Sequence, residues 1–152
     1  MIPITTPEVE NYLYSLASPY DEQVLLEMEE YGHANRFPII DRIVGALIHL
    51  LALSINAKKI FELGSGFGYS AYWFSKAVGA EGKVWCTDGS SKNKVKAQEY
   101  LKRVDLWGRI DYQVGEAVNF LKMEKGPFDI IYNDIDKGDY PQAWEEAKRK
   151  IR

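Results

Sequence analysis

Two hydrophobic patterns divide the chain near residue 56. Before it, apolar positions fall at helical spacing: in residues 21–33 (DEQVLLEMEEYGH), Val24, Leu25, Met28 and Tyr31 recur every three or four residues. Pro38 suits the first turn of a following helix, where its missing N–H costs nothing. Ile39, Ile43, Leu47 and Leu50 then mark one face of that helix. It is apolar on several sides from Leu47 to Leu53, which predicts burial over most of its surface. From Lys59 onward, short apolar runs alternate with helical stretches. Strands are expected at residues 59–63, 83–88, 109–114 and 127–134. Helices are expected at 70–79 (ended by Gly79), 91–104 (Val95, Leu101 and Val104 inward), 115–122 and 140–151.

Strands alternating with helices predict a parallel sheet covered on both faces, and right-handed crossovers make it Rossmann-like and doubly wound. The expected architecture is one α/β domain over residues 1–152, with N-terminal helices over 1–56 and the sheet over 57–152. A last βα unit calls for another strand, and none follows the final predicted helix. A fourth parallel strand left at an edge would expose unpaired backbone. The expectation is therefore that the last strands are missing, about a third of a parent protein.

Composition narrows the setting. The chain is 46% hydrophobic and 27% charged, as in an ordinary globular domain. A net charge of −3 argues against a nucleic-acid backbone as partner. No apolar run reaches membrane-spanning length, and the N-terminus lacks the pattern of a signal peptide. The single cysteine, Cys86, lies in an apolar run and reads as a core residue, which fits a reducing cytoplasm. His33 and His49 have no partner at ligand spacing, and the four tryptophans read as core or interface residues.

Chemistry concentrates at the ends of the predicted strands, where doubly wound sheets bind ligands. FELGSGFGYS places Gly64, Gly66 and Gly68 between a strand and a helix. The spacing is G-x-G-x-G, unlike the dinucleotide fingerprint, and no Gly-Lys-Ser/Thr follows as in a P-loop. Glu62, two places before the first glycine, would repel a pyrophosphate but suits a ligand carrying an amino group and a sulfonium. The alternative is a tight turn with no ligand. Asp88 ends the second strand and can accept from both hydroxyls of a ribose, or can cap the next helix. Gly115, Glu116 and Ala117 follow the third strand, where their backbone could meet an adenine edge. Asp134, Asp136, Lys137 and Asp139 crowd the end of the fourth. They suit Mg²⁺ or another divalent cation with a lysine base, or form a solvated acidic loop.

These residues resemble the cation-dependent O-methyltransferases of the catechol and caffeoyl-CoA type. The pieces are ENYLYSL, INAKKIFELGSGFGYSA, the acid in TDGS, VGEAVNFL and FDIIYNDIDKGDY. The resemblance implies S-adenosylmethionine held by Glu62, Gly64, Ser65, Gly66, Gly68, Tyr69, Ser70, Asp88, Gly115, Glu116, Ala117 and Asp134. It implies Asp134 as a metal ligand and Lys137 as the base that takes a phenol proton. The expected activity is methyl transfer to a hydroxyl of a small, catechol-like acceptor. No nucleic-acid or membrane partner is expected, and a homodimer is compatible. Three departures stand out. The family's adjacent Asp-Asn metal ligands would fall after Arg152, Ile40 stands where a threonine often lines the metal, and Val44 replaces a glutamate. Open alternatives are another acceptor on the same fold and a fragment that binds the cofactor without catalysis.

Overall fold

The chain's first strand is the most enclosed of its four strands. In β1 (Lys59–Leu63), Ile60, Phe61, Glu62 and Leu63 are all buried, because the strand is central and both sheet faces are covered. The computed structural model describes residues 6–17 and 22–152; residues 1–5 and 18–21 of the expected helical segment lie outside it. Around β1 run β2 (Lys83–Asp88), β3 (Ile110–Val114) and β4 (Ile130–Asn133), all parallel, in the order β3-β2-β1-β4. This is the doubly wound arrangement that the sequence predicts.

The helices are α1 (Pro7–Leu16), α2 (Gln23–Ala34), α3 (Arg42–Ser54), α4 (Tyr69–Val78), α5 (Ser91–Lys102), α6 (Ala117–Met123) and α7 (Tyr140–Ala147). One sheet face, through Ile60, Val84 and Cys86, packs with Leu25 and Met28 of α2, Tyr72 and Trp73 of α4, and Leu101 of α5. The other, through Phe61 and Leu63, packs with Val118 and Leu121 of α6 and Ala143 of α7. Cys86 is buried as expected, and burial pushes its thiol pKa up. No described helix is long and apolar enough to cross a membrane.

Helix α3 departs from expectation twice. It starts after Asp41, whose side chain accepts from the Val44 N–H at 2.8 Å and satisfies an otherwise orphaned donor. Pro38 therefore lies ahead of the helix. The buried stripe is Gly45, Ile48, His49 and Ala52 rather than the leucine face. Gly45 and Ala52 are small enough for α3 to approach α4 closely, and Trp73 fills the space beside Gly45. Leu47, Leu50, Leu51 and Leu53 consequently stay 49–62% exposed. Val95 also points outward, at 65% exposure, while Ala97 and Leu101 turn α5 inward.

The last helix is shorter than expected, ending at Ala147 rather than near residue 151. After α7, Ile151 forms a parallel bridge with Phe128. The Phe128 N–H donates to the Lys150 carbonyl at 2.7 Å, and the Arg152 N–H donates to the Phe128 carbonyl at 2.9 Å. The last residues thus lie against the segment just ahead of β4 as an isolated bridge. Ile130 and Ile131 are only half-buried, as befits a strand whose outer side is otherwise uncovered among the described residues.

Candidate active site

The loop between β1 and α4 is shaped by Gly64. At φ +86° its backbone is in the left-handed region, and a Cβ there would stand 2.3 Å from the Asp134 carbonyl oxygen. The chain after β4 can approach only because no side chain is present. Bonds from β2 and β3 then brace the loop. The Gly64 and Ser65 N–H groups donate to the Thr87 carbonyl at 3.1 and 2.7 Å. The Thr87 N–H donates to Ser65 Oγ at 3.2 Å, and the Thr87 hydroxyl donates to the Glu62 carbonyl at 2.9 Å. From β3, the Tyr112 hydroxyl donates to the Gly66 carbonyl.

Above this loop opens a cleft of two adjoining chambers. The first, about 300 Å³, lies between the glycine loop and an apolar wall of Phe37, Pro38, Ile39 and Ile40; Tyr69 and Ser70 also line it. The second, about 520 Å³, is bounded by Gly115, Glu116 and Ala117 on one side and by Ile135, Asp136 and Asp139 on the other. Pro38, Gly64, Asp88 and Asp134 border both chambers.

Most of the expected cofactor residues therefore converge: Gly64, Ser65, Gly66, Tyr69, Ser70, Asp88, Gly115, Glu116, Ala117 and Asp134 all line the cleft. Two do not. Gly68 turns toward Ala97 and Leu101 of α5, where it allows the loop to seat on that helix. Glu62 lies fully buried beneath the loop. Burial pushes its pKa up to about 7, against the opposing pull of Ser70, Ser65 and Cys86 and with a small push from Asp134. Among the described residues its Oε1 has no hydrogen-bond partner.

Asp88 is not the N-cap of α5, which is Ser90, but its side chain braces the turn ahead of that helix. Its Oδ1 accepts from the Ser90 N–H at 2.7 Å and from Asn93 Nδ2 at 2.9 Å, fixing the turn into α5, while the residue still lines both chambers. The Glu116 carboxylate caps α6 by accepting from the Val118 and Asn119 N–H groups.

The mouth after β4 is built differently. Asp134 borders both chambers, and partial burial of its carboxyl raises its pKa. Asp136, Lys137 and Asp139 are exposed around a 3-10 turn (Lys137–Asp139), and Lys137 lines neither chamber. Among the described residues, no three His, Cys, Asp or Glu side chains gather as a metal cage. Ile40 lies in the first chamber's wall, which is apolar there. His49 is structural, with Nδ1 3.0 Å from the Trp73 carbonyl oxygen.

Sequence reasoning misses the apolar wall, the braces from Thr87 and Tyr112, and a polar tie behind the wall. In that tie the Tyr69 hydroxyl donates to Glu29 Oε1 at 2.6 Å, and Arg42 binds Glu29 through Nε at 3.1 Å and a terminal nitrogen at 2.7 Å. Burial and the Glu29 charge together raise the Tyr69 pKa. Thr87 has a local signal, since it adjoins Asp88 at a strand end. Glu29 has none.

Comparison with known proteins identifies the family. The O-methyltransferase family model matches residues 16–152. Catechol O-methyltransferase of Niastella koreensis is 29% identical over 149 residues, covering 95% of this chain and 67% of that protein. An O-methyltransferase from Bacillus cereus, solved in complex with SAH, superposes with a TM-score of 0.85 at 26% identity, covering 95% of this chain and 68% of that one. A methyltransferase from Geobacter sulfurreducens gives 0.89 at 27% identity, covering 99% and 76%. With a family match over nearly its whole length and the cleft that the fold places at its strand ends, the chain belongs to the O-methyltransferase family.

Proposed function

We propose that the chain carries the cofactor half of an S-adenosylmethionine-dependent O-methyltransferase acting on a small, catechol-like hydroxyl acceptor. The observation that carries this is the glycine-walled cleft, bordered at its centre by Asp88 and Asp134. The residues fit the cofactor. Gly64 and Gly66 line the first chamber without side chains, and Asp88 offers a carboxylate for ribose hydroxyls. A cationic ligand above the loop would draw the buried Glu62 carboxyl toward its charged form. When bound, S-adenosylmethionine supplies an electrophilic methyl group. The chain's own residues then hold donor and acceptor in line and keep water out with the Phe37–Ile40 wall. Lys137, on its flexible arm at the cleft mouth, is the candidate acceptor for the hydroxyl proton.

A divalent cation enters this proposal through Asp134 alone. The described residues do not assemble a cage around it, so no step is derived through a metal. The catechol preference is supported by the Niastella relative.

Calorimetry with S-adenosylhomocysteine, using NAD as the control, tests the cofactor assignment. Binding of the former alone is expected. Gly66→Val should abolish it by forcing a branched side chain toward Phe37, whose ring lies 2.9 Å from where a Cβ on residue 66 would stand. Unchanged affinity in that variant would refute the site. In an assay of catechol methylation, Lys137→Ala should slow turnover by roughly 10²–10⁴-fold with cofactor affinity intact.

A further inference from the structure

The wall facing the glycine loop is a short stretch between two helices, and it is fastened at both ends. At its start the Phe37 N–H donates to the Gly32 carbonyl at 2.9 Å, and the Phe37 ring packs edge-on against Phe67 at 5.1 Å. At its end stands Arg42, the first residue of α3, whose guanidinium grips Glu29 of α2 with two hydrogen bonds. Glu29 in turn accepts from the hydroxyl of Tyr69, the first residue of α4, immediately after the glycine loop. Arg42 and Glu29 are only 13% and 21% exposed, so the pair is shielded enough to act as a fixed point. A cavity of about 130 Å³, lined by Tyr14, His33 and the pair itself, lies behind the wall and shares Ile39 and Ile40 with the cleft. The wall therefore has room to move backward if its fastening is lost.

We infer that Glu29 and Arg42 are positioning residues of the cofactor cleft: through the Tyr69 hydroxyl, their ion pair sets the spacing between the Phe37–Ile40 wall and the glycine loop. The inference rests on the cofactor reading of that cleft. Neither residue lines the first chamber; both act through groups that do. A carboxylate is required because one oxygen must accept from both Tyr69 and Arg42 Nε while the other accepts from the Arg42 terminal nitrogen.

Two readouts on Glu29→Ala, Glu29→Gln and Tyr69→Phe decide it. In the first, amide hydrogen exchange is followed without ligand. Glu29→Ala should speed exchange at Phe37, whose N–H is bonded to the Gly32 carbonyl, by about tenfold or more while leaving Phe61 and Leu63 of β1 unchanged. In the second, calorimetry should show S-adenosylhomocysteine binding weakened about tenfold in Glu29→Ala and in Tyr69→Phe. Combining the two substitutions should weaken it no further, because both cut one link. Glu29→Gln, which can still accept from Tyr69, should recover part of the affinity. A merely structural role would lower thermal stability yet leave affinity and the wall's exchange unmoved, and that result overturns the inference. So does additive weakening in the double variant. If the unaltered chain binds no S-adenosylhomocysteine, the cofactor reading fails by itself, and the exchange measurement alone decides whether the pair fixes the wall.

Discussion

The two sides of the cleft are held by different means. The glycine loop is buried and cross-braced by Thr87 and Tyr112 from the neighbouring strands. The mouth after β4 rides on a 3-10 turn whose acids and lysine face water. The first is a site preorganised by the same hydrogen bonds that order the sheet. The second carries charge without fixed geometry. A cofactor that must be held still suits one side, and groups that engage a variable acceptor suit the other.

That contrast is broken most severely at Gly64. Replacement by valine sets a side chain against the Asp134 backbone and demands a left-handed conformation of a β-branched residue. The loss should be about 3 kcal/mol or more, read from the urea midpoint. A variant with an unshifted midpoint would show that the loop and the fourth strand are not in contact.

Next comes Glu62. Its folded carboxyl is pushed from 4.5 up to about 7, so the folded state holds a proton that the unfolded state has released between those values. Stability from this group is whole below pH 4.5 and drains away as pH rises to about 7, by about 3 kcal/mol in all. Glu62→Gln removes the drain, so it should gain stability over the native chain by that amount at pH 8 and by none at pH 4.5. A difference that stays flat across the range would mean the carboxyl is charged throughout.

The mouth should be the least sensitive. Asp136→Asn and Lys137→Ala each remove an exposed charge, and thermal unfolding should register no more than about 0.5 kcal/mol. A larger loss in either would show that the turn is braced after all, and the contrast would shrink.

The sheet and the glycine loop are legible in the sequence because their signals are local. KIFEL and KVWCTD are short apolar runs that become β1 and β2 at the expected residues, and Gly79 ends α4 as expected. The start of α3 is not, because Pro38 and Asp41 are both good opening residues, and only the Asp41 hydrogen bond decides between them. Its buried face is hidden as well, because four leucines outweigh Gly45 and Ala52 in any count of hydrophobicity, yet close approach to Trp73 favours the small residues. Glu29 and Tyr69 lie 40 positions apart, and only the packing of α2 against α4 brings them together.

The outward leucines of α3 have a practical consequence. Leu47, Leu50, Leu51 and Leu53 on one helix, with Tyr12 and Leu16 exposed on α1, give this chain a greasy flank that water wets poorly. Colloidal behaviour will be governed there rather than at the cleft. Raising the protein concentration or adding a salting-out ion such as sulfate should drive particles together through that flank, whereas a mild detergent should keep them apart without disturbing the sheet.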